Sequence, residues 1–168
     1  MRALILSSSG GIDMSLYPGY SRSLYGHLTE AEADSLRYWN GRIDRGDTGR
    51  YARGQRARWL AFAYVFHKEY APIIAARLAQ TDRLVNSLVW QDLRRTHFDC
   101  APGLARFRKP ALILQGRQDI VDSSAAQKAH RVLQGSRLVW LDECRHYGWL
   151  DQRARFLQEV YAFLKAVS

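Results

Sequence analysis

Three short aliphatic runs, each cut off by glycine or acid, limit what this chain can become. The first opens at Arg2 and closes at Ser9, reads RALILSSS, and breaks at Gly10-Gly11. The second, residues 110–115, reads PALILQ and breaks at Gly116; the third, residues 136–141, reads SRLVWL and gives way to Asp142-Glu143. Near-continuous apolar runs of this length are how strands covered on both faces read in sequence. Residues 123–134 separate the last two runs and place Ala126, Ala129, Val132 and Leu133 at helical spacing. Ser123 or Asp122 is placed to cap that helix, and Gly135 to stop it. After the third run, residues 150–167 carry Phe156, Leu157, Val160, Tyr161, Phe163 and Leu164 as an amphipathic stripe. Strand, helix, strand, helix with short links predicts an α/β fold: about three parallel strands with flanking helices.

The stretch between the first two runs differs in character. Thr29-Glu30-Ala31-Glu32 is a capping box that opens a helix reaching about Asn40. A glycine- and arginine-rich loop follows at 41–49, then helix-like stretches near 53–70, 72–79 and 82–96, rich in aromatics such as Trp59, Phe62, Tyr64, Phe66 and Trp90. A helical insertion between two strands of a parallel sheet predicts a cap over the strands' C-terminal ends, where open α/β sheets bind ligands. The division expected is a core of residues 1–11 and 109–168 and a helical cap of residues 12–108.

Length and charge exclude several classes. A chain of 168 residues is one domain at roughly 150 residues each, large enough for a core without staples. The net charge is +9, yet only four of the 25 basic residues are lysines, and the arginines spread from Arg2 to Arg155. A nucleic-acid binder concentrates its charge on one face or tail, so the spread argues against that partner. The densest stretch, 42–58, holds Arg45, Arg50, Arg53 and Arg56 and reads as a solvated helix start and loop. No apolar run approaches the roughly 18 residues of a membrane-spanning helix, and the apolar start is too short for a secretory signal. Cys100 and Cys144 cannot build a disulfide scaffold and form no CxxC, which places the chain in a reducing, cytoplasmic setting. His27, His67, His97 and His130 are dispersed without metal-ligand spacing, and no glycine-rich phosphate loop occurs. Neither a metal nor a cofactor is expected.

Gly116-Arg117-Gln118-Asp119 directly follows the second strand, and Cys144-Arg145-His146-Tyr147-Gly148 closely follows the third. An acid and a histidine just past adjacent parallel strands project into one region. That arrangement suits a carboxylate that fixes the imidazole tautomer and leaves the other ring nitrogen as a general base. Asp122 is the other acid within reach, with helix capping as its alternative role.

From residue 109 onward, the run PALILQGRQDIVDSSAAQKA followed by SRLVWLDECRHYGWLDQRARFLQEVYAFL resembles the C-terminal part of an α/β-hydrolase, most similar to the proline-iminopeptidase-like branch. The matches are Gly116, Asp119, His146 and the acidic Asp151. RALILSSSGGID resembles the family's strand just before its helical cap. The resemblance implies a serine hydrolase acting on a peptide or ester bond, aminopeptidase- or esterase-like, with Asp119 and His146 as catalytic acid and histidine. It implies a small-molecule or short-peptide substrate. Tyr147 and Trp149, close to His146, are candidates for the substrate pocket, and Glu69 is a candidate for holding a substrate's free amine.

The family's nucleophile sits in Gly-x-Ser-x-Gly on a strand-to-helix turn, and this sequence has none. In Ser7-Ser8-Ser9-Gly10 no glycine lies two residues before a serine, and Gly19-Tyr20-Ser21-Arg22-Ser23 has serine where the second glycine belongs. The chain therefore reads as the C-terminal portion of a longer hydrolase, starting near its sixth strand, with no nucleophile of its own and no turnover alone. The open edge of the first strand, from Arg2 to Ser9, would then receive a complementing polypeptide or a second copy in a homodimer. The alternative is an inactive truncated hydrolase that serves as a binding or assembly module.

Overall fold

The structure is a computed structural model that describes residues 2–15 and 20–167. Met1 and Gly19 lie outside the described residues. Strands β1 (Leu4–Ser7), β2 (Ala111–Gly116) and β3 (Ser136–Leu141) form one parallel sheet in the order β1-β2-β3. Leu4 lies opposite Ala111, and Ala111 opposite Ser136. Parallel neighbours need long crossovers. Between β2 and β3 the crossover is helix α7 (Ser123–Val132). Between β1 and β2 it is a helical excursion: α1 (Tyr20–Gly26), α2 (Glu30–Asp44), α3 (Arg50–Tyr64), α4 (Ala71–Leu78), α5 (Arg83–Arg95) and the short α6 (Ala101–Leu104). After β3 come α8 (Gly148–Asp151) and α9 (Arg153–Val167).

Alternation along the strands divides the sheet's two faces. Ala111 and Ile113 of β2 pack with Ala126, Ala129 and Leu133 of the α7 segment. Leu112 and Leu114 turn the other way, with Val139, Leu141 and Phe163 of α9. Every residue of β2 is buried, as the unbroken apolar run predicts. Fully burying each large aliphatic side chain contributes about 1.5–3 kcal/mol, so β2 anchors the fold. β1 is shorter than its apolar run and no better than half-buried, and among the described residues no strand pairs with its outer edge.

The helices depart from the sequence reading at identifiable places. The capping box forms as read: Thr29 Oγ1 accepts from Glu32 N, and Glu32 Oε2 accepts from Thr29 N at 2.9 Å. Helix α2 then runs through Gly41, because Leu36 and Ile43 are buried on its inner face and one helical glycine costs only about 1 kcal/mol. Of the two cap candidates for α7, Asp122 does the work, accepting from Ser124 N at 2.8 Å. The stretch expected as a helix over 53–70 starts at Arg50 and ends at Tyr64. It stops there because the amides of Phe66 and His67 turn to the carboxylate of Asp151, at 2.9 and 3.1 Å. The last helix, expected to be continuous from 150, is broken at Gln152. Phe163 of its apolar stripe is buried, but Tyr161 and Leu164 are exposed. α1 and α6 were not foreseen, being short and weakly patterned. α5 forms as read, capped by Asp82, yet Leu84, Val85, Leu88 and Val89 on it are exposed.

Two clusters dock the excursion on the sheet's loops. Leu24, Leu36, Leu60 and Ala63 pack on Ile120, Val121 and Ala125, just past β2. Ala61, Val65, Ala71 and Ile74 gather Tyr147, Trp149 and Leu150, just past β3. The helices therefore clamp the two loops that carry the acid and the histidine. Among the described residues no helix is long and apolar enough to cross a membrane.

Candidate active site

The loops after β2 and β3 lie side by side because Gly116 lets them. A Cβ on Gly116 would stand 2.2 Å from the Arg145 carbonyl oxygen and 2.4 Å from that of Cys144. Real side chains do not tolerate such distances, so the close approach requires glycine. Backbone bonds then knit the loops: Arg117 N donates to Leu141 O at 2.9 Å and Gln118 N to Cys144 O at 3.0 Å. Gln118 returns the contact, its Oε1 accepting from Cys144 N at 3.1 Å.

This frame brings Asp119 and His146 together. His146 Nδ1 lies 2.9 Å from Asp119 Oδ1, and the Asp119 side chain is wholly buried while the His146 side chain is 23% exposed. The same Oδ1 accepts from Val121 N at 3.0 Å, and Oδ2 accepts from Gln115 Nε2 at 2.8 Å. A buried carboxylate with three donors is fully satisfied. It holds His146 with Nδ1 protonated, which leaves Nε2 to take a proton from a nucleophile. The imidazole is seated from the helical excursion as well. His146 N donates to Tyr64 O, the last residue of α3, at 3.1 Å, and the rings of Tyr64 and Tyr147 meet its edges at 5.3 and 5.1 Å.

Three residues that support this arrangement were not singled out from the sequence. Gln115 is 1% exposed and orients the acid. His27, between α1 and α2, has Nε2 3.2 Å from the carbonyl oxygen of Asp119. A carbonyl only accepts, so Nε2 carries the proton. Burial pushes the pKa of His27 below its ordinary value; the bond to Asp119 opposes that shift and the nearby Arg145 charge adds to it. Arg145 donates Nη1 to Phe62 O at 2.5 Å, tying the histidine loop to α3. Glutamine in a strand and lone histidines carry no pattern that periodicity can detect. Asp151, matched by position only, proves to be an anchor: besides Phe66 and His67 it accepts from Arg145 N at 2.9 Å.

A cavity of about 550 Å³ opens beside His146. Leu24, Leu60, Leu78, Ile120 and Val121 give it apolar walls, and Arg56, Tyr64, Thr81, Asn86 and Trp90 add polar or aromatic ones. Asp122 also lines it, but its carboxylate is engaged with Ser124, whose hydrogen bonds hold its pKa below the ordinary value. Tyr147 and Trp149 pack against α3 and α4 and do not line this cavity. Glu69 is elsewhere, at a separate hollow with Arg58, Phe62 and Lys68. Ser8, at φ 45°, lines the cavity from the end of β1. Its hydroxyl makes no hydrogen bond to His146 among the described residues, and no helix follows it directly. Among the described residues, no group of three or more His, Cys, Asp or Glu is placed to hold a metal ion.

No family model matches this sequence, and no curated protein matches it. Solved structures do match its fold. An α/β fold family hydrolase from Bacillus anthracis str. Sterne superposes with a TM-score of 0.70 at 14% identity over 96% of this chain and 58% of that one. An esterase from Exiguobacterium antarcticum gives 0.68 at 17% identity, over 98% of this chain and 57% of that one. A meta-cleavage product hydrolase from Pseudomonas fluorescens IP01 gives 0.63 at 14% identity, over 99% and 57%. The chain has the α/β-hydrolase fold and corresponds to a C-terminal part of it, spanning somewhat over half the length of these structures.

Proposed function

We propose that the chain is the cap and C-terminal portion of a serine hydrolase, esterase- or aminopeptidase-like, and supplies the acid and histidine of its triad. One observation carries the reading: Nδ1 of His146 sits 2.9 Å from a buried, fully satisfied Asp119 beside a cavity of mixed apolar and polar walls. A serine from outside the described residues attacks the carbonyl of an ester or amide. His146 takes its proton and returns it to the leaving group, and Asp119 steadies the imidazolium. Loss of a triad serine costs about 10⁶-fold in kcat, so the chain without that serine has no useful turnover. The esterases among the structures of like fold favour an ester substrate; the resemblance of residues 109–168 to proline iminopeptidases favours a short peptide. Both cysteines are free, which suits a reducing, cytoplasmic setting.

The test begins with the coding frame upstream of Met1, read for Gly-x-Ser-x-Gly after a strand. Protein expressed from that frame is assayed on p-nitrophenyl butyrate and prolyl p-nitroanilide. Turnover that vanishes with His146→Ala is expected. Turnover by the 168-residue chain alone, lost with Ser8→Ala, would sink the assignment of the nucleophile to another segment.

The open edge of β1 favours a second reading, a catalytically silent module that binds a complementing polypeptide or its own copy there. That reading requires concentration-dependent association in sedimentation experiments and no hydrolysis under any combination.

A further inference from the structure

Most arginines of the 42–58 stretch face solvent, but Arg56 turns inward. Arg56, Leu60 and Tyr64 recur every fourth residue and so share one face of α3, and all three line the cavity with His146. Tyr64 touches the His146 ring. Arg56 lies two helical turns away, about 12 Å along the axis. The cavity therefore has a base at one end and a cation at the other, with leucine, isoleucine and valine between them.

The surroundings of Arg56 do not neutralise it. Its Nε–H goes to Asn40 Oδ1 at 2.7 Å, and Asn40 in turn donates to the Tyr25 hydroxyl at 3.2 Å. These partners are neutral. Asp44, whose field reaches Arg56, is bound to Arg83 at 2.9 Å. Among the described residues, no carboxylate is in ion-pair contact with Arg56. Burial, then the charge of Arg83, pulls its pKa below the ordinary value, as happens to a cation short of an anion. A guanidinium aligned by an amide, whose terminal N–H groups make no hydrogen bond among the described residues, is built for bidentate contact with a carboxylate.

We infer that Arg56 binds a carboxylate carried at the far end of the substrate from the bond on which His146 works. The substrate class is an ester or amide whose free carboxylate is separated from the scissile carbonyl by an apolar chain or ring. The position of that bond rests on the function proposed above; the binding of the carboxylate does not.

The experiment is calorimetry on the 168-residue chain with two probes of equal shape, 4-phenylbutyrate and its neutral amide. The acid is expected to bind at least about tenfold more tightly than the amide, since hydrogen bonds to charged groups exceed neutral ones by that order. Arg56→Met should reduce the acid to the affinity of the amide with the circular dichroism unchanged, and Arg56→Lys should keep part of the preference. Equal binding of acid and amide, no binding of either, or a preference that survives in Arg56→Met overturns the inference. If Arg56→Met does not fold, nitrogen-15 spectra of the wild-type chain decide. Phenylbutyrate must shift the Arg56 Nε–H and the Trp90 indole signals, and unmoved signals overturn the inference. Acid preference retained in His146→Ala, alongside absent hydrolysis by unsubstituted protein expressed from the upstream frame, would sink the catalytic reading and leave this one standing.

Discussion

Gln115 donates its side-chain amide to Oδ2 of Asp119 at 2.8 Å, from the end of the strand that delivers the acid. The same amide reaches Val121 O at 3.3 Å, so one buried side chain braces both ends of the acid turn. Replacing it by leucine keeps the size but leaves that carboxylate oxygen without its donor. The expected cost for Gln115→Leu is about 1–3 kcal/mol, read as a lower urea midpoint at unchanged slope.

The orienting role proposed for Asp119 is tested by Asp119→Asn in the protein expressed from the upstream coding frame. The substitution preserves shape but removes the charge that fixes the His146 tautomer. A fall in kcat of about 10⁴-fold is expected, with KM little changed. A fall below tenfold would assign the orienting role to another group.

Gly116→Ala tests how tightly the two loops meet. Its Cβ would collide with two carbonyl oxygens of backbone, which cannot rotate away as a side chain would. Overpacking of this kind costs about 1–3 kcal/mol or more. The low-field proton resonance of the His146 Nδ1–H should also shift or vanish as the loops part, and an unaltered resonance would refute the steric account.

His27 gives the fold a pH dependence of known sign. Burial lowers its pKa in the folded chain below the ordinary 6.5, so the unfolded chain takes up that proton first. The contribution of His27 to stability is full above about pH 6.5. It falls as the pH drops and stops falling once the folded imidazole titrates. His27→Gln, which keeps an N–H for the Asp119 carbonyl, should remove this slope from urea midpoints measured between about pH 5 and 8.

The fold was legible where local pattern and tertiary role coincide. β2 is apolar along its whole length because it is buried on both faces, and β3 has the predicted bounds. That Asp119 and His146 would meet was legible because each lies in a loop just past one of two adjacent strands, so position substitutes for geometry. What escaped was set by contacts between distant segments. The end of α3 depends on Asp151, 85 residues from Phe66. Trp149 and Tyr147 are near His146 in sequence, but they pack with residues of α3 and α4 and are not among those that line the cavity. Arg56 was indistinguishable from its solvated neighbours until Asn40 and Leu60 supplied its surroundings.

Helix α3 serves as wall and as fastener. Arg56 and Leu60 face the cavity, and the carbonyl of Tyr64 holds the amide of His146. A carbonyl in the last turn of a helix has no amide of its own helix to accept, so the amide of His146 takes the place that a further turn would have filled. Where α3 stops is therefore also where the histidine loop is tied down, and a substitution that lengthened the helix would loosen that loop.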